Sequence, residues 1–396
     1  MTDRPLSGFR ILDVTNVLSG PFCGYQLALL GAEVIKVEAP DGDLARQLGA
    51  RADWNHARMG VSYLAQNAGK RSISLNLKTE AGRGVFLDLV ATADAVIENF
   101  RPGVMDRLGL GFETLRAIKD PLVYCAITGF GQEGPMADQP AYDQIVQGLS
   151  GVMDVTGSED SGPFRVGYPM ADTIGGLTAA LALVAALHQK QSQYLDVSML
   201  ESVLTTMGWV ASNWLMADQS PKRLGNDNMT AAPSGAFQTQ DGLINIAANQ
   251  DRQWLALAKV CGLDTLTHDS RFAEREARKQ HRDALTQLLE AVLVTKPTAH
   301  WVARLSEAGV PAGPVLNVKD ALDLPQVSAR GFVSRIEQTA PADSIRLVTN
   351  GFLINQERLT PTGPVEALGA STTSILKELG YSEEQMADLT QQGAIH

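Results

Sequence analysis

Residues 167–176 read GYPMADTIGG and open a run of Ala, Leu, Val and Thr that continues to Gln189. Asp172 is the carboxylate at the mouth of that apolar run, which predicts a buried helix over 171–189. Two readings of Asp172 stand side by side. A short acidic side chain in a first turn is an ordinary helix start, because it accepts free backbone N–H groups and meets the positive end of the dipole. The chemical reading uses the same amides and dipole to hold the carboxylate ionised, ready to attack an activated acyl group in a dry pocket. Gly175 and Gly176 sharpen the question, since each glycine costs a helix interior about 1 kcal/mol against alanine. A pair of them is explained where another backbone or a ligand must come close.

Other residues have to be weighed against Asp172. Residues 129–134, GFGQEG, spell a dinucleotide fingerprint after an expected strand. That fingerprint works only when a helix opens inside it and aims its N-terminus at a pyrophosphate. Here Pro135 and Pro140 follow and no helical pattern starts before about residue 142, so a glycine turn is the better account. The six histidines show neither metal-ligand spacing nor a nucleophile elbow. Cys23, Cys125 and Cys261 form no CxxC and are too scattered for a disulfide framework. Lys70, Arg71, the segment 99–103 (NFRPG) and Arg107 lie near the ends of expected strands, where an α/β sheet binds ligands, and together they suit the phosphates of a nucleotide-like carrier.

These groups are positioned by an α/β pattern. Residues 9–14, a turn, a helix to about 30 and residues 33–38 make a βαβ unit. Further strands are expected at 72–77, 95–98, 122–128 and 193–198, with helices at 80–91, 142–148 and 199–217. Residues 218–232 and 310–315 are rich in proline, glycine and asparagine and read as breaks. Between them lie a hairpin turned at Asp241-Gly242 and helical patterns at 252–262 and 281–309. At roughly 150 residues per domain, 396 residues suggest two or three units. Apolar residues at 44% and charged residues at 19% exclude a disordered chain. A net charge of −11 argues against nucleic acid and against an anionic membrane surface as partners. The longest apolar stretch, 177–187, falls short of the roughly 20 residues of a membrane span. No leader-like apolar segment opens the chain, so a cytoplasmic location is expected.

Several blocks, taken in order, resemble class III CoA-transferases of the CaiB/BaiF type, the family of formyl-CoA and carnitine CoA-transferases. They are 11–21 (ILDVTNVLSGP), 31–38 (GAEVIKVE), 70–78 (KRSISLNLK), 95–110 (AVIENFRPGVMDRLGL), 129–135 (GFGQEGP), 142–157, 170–187, 196–201 (DVSMLE) and 308–315 (AGVPAGPV). The resemblance implies an α/β fold: a Rossmann-like large domain whose parallel sheet is built from both chain ends, a smaller α/β domain, and an interlocked homodimer. It places the large domain at 1–217 and 331–396, linkers at 218–232 and 310–330, and the small domain at 233–309.

The resemblance also implies that Asp172 is the nucleophile and passes through an aspartyl acyl anhydride and an aspartyl-CoA thioester. With an ordinary aspartate pKa of about 3.9, it would be ionised without a general base. Leu18 and Ser19 would line the thioester end. Leu75, Asn76, Leu77, Lys78, Asn99, Phe100, Arg101 and Arg107 would hold adenine, pantetheine and phosphates. Tyr142 and Asp143 match a tyrosine-acid pair near the reacting carbonyl. Acyl-CoA and a small carboxylic acid would be substrates, with no tightly bound cofactor and no metal. Relative to formyl-CoA transferase, Leu18 replaces a glutamine, Ala39 replaces an arginine, and the glycine-rich flap is reduced to TAAPSG at 230–235. Those departures point away from formate and oxalate; the breadth of the family, rather than any residue here, suggests a small dicarboxylate such as succinate, itaconate or a related C4–C5 acid, with succinyl-CoA as donor. Two alternatives remain. A 2-methylacyl-CoA racemase of the same superfamily carries a Gly-His-Asp block where this chain has Ala141-Tyr142-Asp143. The other is a non-catalytic CoA-binding protein.

Overall fold

The computed structural model describes residues 4–395. Six strands form a parallel sheet: β1 (Arg10–Asp13), β2 (Glu33–Glu38), β3 (Arg71–Ser74), β4 (Ala95–Glu98), β5 (Val123–Thr128) and β6 (Gln193–Ser198). Their spatial order is β3-β2-β1-β4-β5-β6, with every neighbouring pair parallel. From β1 the chain winds outward to β3 on one side, then returns to β4 and winds outward to β6. The connections after β1 and β4 therefore diverge, which opens a crevice beyond the carboxyl ends of these two strands.

Alternation along the strands builds two cores, because successive side chains leave a strand on opposite faces. Ile11, Val34, Ile97 and Cys125 pack on one face with α1 (Ser19–Leu29). Leu12, Ile35, Val96 and Tyr124 pack on the other with α2 (Glu80–Val90) and with Ile375, Leu376 and Leu389 near the C-terminus. All six residues of β5 are buried, as expected for a strand covered on both faces. Two further helices bear on the site, α3 (Asp143–Leu149) and α4 (Met170–Gln189); α4 packs against α1, β5 and β6.

The described chain divides into two compact units. The first comprises residues 1–152, 165–218 and 325–396 and contains the six-stranded sheet. The second comprises residues 153–164 and 219–324. In it, an antiparallel sheet of Ser234–Gln238, Leu243–Ala247 and Ala312–Pro314 packs with helices around Trp254, Leu257, Leu289 and Trp301. Its hairpin turns at Asp241-Gly242, and the Asp241 carboxylate accepts the Thr298 N–H at 2.7 Å.

Three local expectations change. The helix expected over 199–217 breaks at Gly208 (φ 52°) into α5 (Met199–Thr206) and α6 (Trp209–Ala217). The pattern at 281–309 splits into Arg282–Leu293 and Thr298–Glu307 around Pro297, which cannot continue a helix. Helix α4 is buried on one face only: Leu181 is 74% exposed and Leu177 is exposed too.

Candidate active site

Asp172 lies in the first turn of α4, whose N-cap position is held by Pro169, a residue with no side-chain acceptor. The missing acceptor comes from α3. One Asp143 carboxylate oxygen takes the Ala171 N–H at 2.7 Å, and the other takes the Gln147 side-chain amide at 2.7 Å. Gln147, wholly buried, also donates to the Tyr168 carbonyl and accepts the Val166 N–H at 2.8 Å. The approach to the helix is thus fixed from 166 to 171 by two side chains spaced i, i+4.

That arrangement overturns the expectation of an ordinary aspartate. Burial first, and the neighbouring Asp143 charge second, push the Asp172 carboxyl up to about 7. Desolvation outweighs the helix dipole here, so near neutral pH the group is about half ionised.

Gly176 meets backbone and Gly175 meets side chains. A Cβ on Gly176 would lie 2.4 Å from the Ser19 carbonyl oxygen, and one on Gly175 would lie 2.9 Å from Met199 Cγ and 3.3 Å from Ser19 Oγ. The start of α1 and the second turn of α4 therefore touch through these glycines. Ser19 is buried and its hydroxyl has no hydrogen-bond partner among the described residues. Among the described residues the N–H groups of Leu18 and Ser19 also have no acceptor.

Two cavities of about 310 Å³ each lie at the carboxyl ends of the strands. Leu18, Ser19, Asn99, Phe100, Arg101, Tyr142 and Asp172 line the first, beside Gln139 and Met199. Leu75, Asn76, Leu77, Lys78, Phe100 and Arg107 line the second, with Val14 and Val37. Asn16 and Phe100 belong to both walls. Asp143 lines neither; it stands behind Asp172. Tyr142 is 70% exposed, and the side-chain amide of Asn99 is fully engaged with the Asn16 backbone, at 2.8 Å in each direction. Lys78, Arg101 and Arg107 are exposed and make no ion pair with a described residue.

Lys70 and Arg71, expected near the ligand phosphates, are placed otherwise. Lys70 is buried and bonded to Asp13 at 2.8 Å, and Arg71 pairs with Glu33 and Glu378. In a sequence a buried paired lysine and a solvated one look alike. Gln147 was also missed, although its i, i+4 spacing from Asp143 was a usable signal. Residues 129–134 form a turn, with Gly131 and Gly134 at positive φ and the Gln132 N–H held by Asp196 at 2.9 Å; α3 begins only at Asp143.

The family model for CoA-transferase family III matches residues 6–372. An acetyl-CoA:oxalate CoA-transferase of Acetobacter aceti is 40% identical over 335 residues, covering 83% of this chain and 85% of that protein. The human succinyl-CoA:glutarate CoA-transferase is 33% identical, covering 99% of this chain and 90% of that protein. A crystal structure of a CaiB/BaiF family protein from Brucella suis superposes with a TM-score of 0.83 at 35% identity, covering 96% of this chain and all of that one. A match over nearly the whole chain, on a mixed α/β fold with a six-stranded parallel sheet, shows that the protein belongs to CoA-transferase family III and is an enzyme that transfers coenzyme A.

Proposed function

We propose that the enzyme moves CoA from an acyl-CoA donor to a small carboxylic acid with Asp172 as its covalent nucleophile. The observation that carries this reading is the placement of Asp172, with its raised pKa, in one cavity wall with the free N–H groups of Leu18 and Ser19.

The ionised Asp172 oxygen attacks the thioester carbonyl; the C–S bond breaks, leaving an aspartyl acyl anhydride and CoA thiolate. The thiolate attacks the aspartyl carbonyl, releasing the donor's carboxylate and forming an aspartyl-CoA thioester. The acceptor carboxylate then attacks that thioester, giving a second anhydride and thiolate again. Attack of the thiolate on the acceptor's acyl carbon releases the new acyl-CoA and regenerates Asp172. Each step exchanges one acyl bond for another, so no ATP is consumed. The free amides at the start of α1 suit the oxyanion that develops at each attack. The apolar second cavity suits the adenine, and the unpaired Lys78, Arg101 and Arg107 suit the phosphates.

For substrates we favour small dicarboxylates. The relatives named above transfer CoA to oxalate or glutarate by their names, and succinyl-CoA is the named donor of the human protein. The working unit in this reading is a homodimer, with chains interlocked as in the family. Helix α6 has no buried residue, and it exposes Leu215 at 77% and Met216 at 85%. A surface this apolar suits burial against a second chain.

The test is exchange of CoA between succinyl-CoA and a panel of carboxylic acids without ATP, in the native enzyme and in Asp172→Ala. We expect the variant to lose at least about 10³-fold in kcat while still binding CoA. Equal activity in the variant rejects the nucleophile. Racemisation of a 2-methylacyl-CoA without exchange rejects transfer.

A further inference from the structure

Beneath the site, four ionic side chains are sealed from water. The side chains of Lys36, Asp13 and Asp43 are 0% exposed, and Lys70 is 1% exposed. Lys36 lies 3.5 Å from Asp13 and 3.2 Å from Asp43, and Lys70 lies 2.8 Å from Asp13. Burial alone would raise the Asp13 pKa, but Lys36 and Lys70 hold it well below the usual carboxylate range. Buried ion pairs contribute little net stability, because desolvation offsets their attraction. Four such groups in one place call for another explanation.

Their remaining bonds supply it. Lys36 donates to the Thr15 carbonyl, and Lys70 donates to the Pro21 carbonyl at 2.8 Å. Asp13 accepts the Thr15 N–H at 3.1 Å. Asp43 accepts the Val17 N–H at 2.9 Å through the same oxygen that takes the Ala45 N–H at 2.8 Å. The network therefore grips the β1–α1 loop on both sides of residues 16–19, which line the cavity of Asp172. Within that loop Val17 has φ 69°, a left-handed conformation that a β-branched residue adopts only when its surroundings impose it. Gly24 belongs to the same construction, since a Cβ there would lie 2.8 Å from Asp13 Oδ2 and 3.0 Å from Lys70 Nζ.

We propose that Asp43, held by Lys36, is a positioning residue for acyl transfer: by fixing Val17 in its left-handed turn it aims the free N–H groups of Leu18 and Ser19 at the reacting carbonyl. This rests on the covalent reading of Asp172 given above. Asp43 touches no substrate; it acts through the Val17 backbone. One of its oxygens accepts two amides and the other makes an ion pair with Lys36 at 3.2 Å, so an asparagine in its place sets its NH2 against N–H groups on one side or the other.

A double-mutant cycle tests it, using Asp43→Asn, Val17→Gly and their combination in the full-length enzyme. Glycine adopts the left-handed turn without help. Asp43→Asn should lower kcat for CoA exchange about tenfold or more in the native background and less than threefold in the Val17→Gly background, since misplacement of about an ångström costs up to 10²-fold. CoA dissociation constants from calorimetry should stay within about threefold throughout. A purely structural role would lower thermal stability equally in both backgrounds and leave this coupling at zero. Equal kcat losses in the two backgrounds, or no loss, overturn the proposal while the Asp172 reading survives. Absence of exchange in the native enzyme overturns both. If Asp43→Asn does not fold, amide hydrogen exchange in the native enzyme decides: the Val17 N–H should be protected as strongly as that of Leu12 in β1, and exchange at the rate of an open loop overturns the proposal.

Discussion

Asp143 caps the helix that carries Asp172 and, with the same carboxylate, raises the proton affinity of Asp172. One oxygen holds the Ala171 N–H at 2.7 Å, and the charge adds to the effect of burial in moving Asp172 to about 7. The capping, and the part of the tuning that burial does not supply, therefore come from one side chain on a different helix.

The first consequence is a pH profile. In the proposed mechanism only ionised Asp172 attacks, so kcat should rise with pH through about 7 and level off above it, with a loss of about tenfold at pH 6 relative to the plateau. Asp143→Asn removes a like charge and should move the midpoint downward. A flat profile from pH 5.5 to 8.5, or an upward shift in the variant, contradicts this.

Stability should run the other way. Asp172 binds its proton more tightly folded than unfolded, so its contribution to stability falls as pH rises from about 4 to about 7 and stays low above that. Asp172→Asn should therefore raise Tm at pH 8, by the equivalent of about 1–3 kcal/mol, and by less at pH 5. A Tm gain that does not depend on pH would show that burial of charge is not the cause.

A matched pair of glycine substitutions separates contact from propensity. Gly176→Ala improves helix propensity by about 1 kcal/mol but places a methyl 2.4 Å from the Ser19 carbonyl, and should destabilise by a net 1–3 kcal/mol. Gly84→Ala, in the exposed middle of α2 with nothing within 4 Å, should stabilise by up to about 1 kcal/mol. Thermal denaturation of both variants reads the difference; equal shifts would mean that α1 and α4 are not in contact.

The proposed phosphate contacts make a further demand. Arg101→Ala and Arg107→Ala should each raise the KM of acyl-CoA about 10–100-fold with a smaller change in kcat, as expected for loss of a charge-assisted bond. Acyl-pantetheine lacks those phosphates, so neither variant should discriminate against it further. A comparable KM increase for acyl-pantetheine would place the arginines elsewhere.

Local chemistry and periodicity were legible in the sequence. Strands 95–98 and 193–198 and the long helix ending at Gln189 fall where alternation and composition put them. Asp172 stood out because a lone carboxylate opening an apolar helix is conspicuous. What stayed hidden depends on proximity through space. Nothing in the sequence pairs Lys70 with Asp13, 57 residues away, or gives α4 its cap from Asp143. The raised pKa of Asp172 was missed for the same reason, since burial and a neighbouring carboxylate are tertiary facts. The helix breaks at Gly208 and Pro297 were written in the sequence and overridden by the apolar pattern around them.

The meeting of the Gly176 position with the Ser19 carbonyl leaves no slack between the two helix openings. In the proposed reading the Asp172 carboxylate and the amides of Leu18 and Ser19 are thus held at one spacing, so a change of acceptor acid is expected to come from other residues of the same wall, such as Gln139.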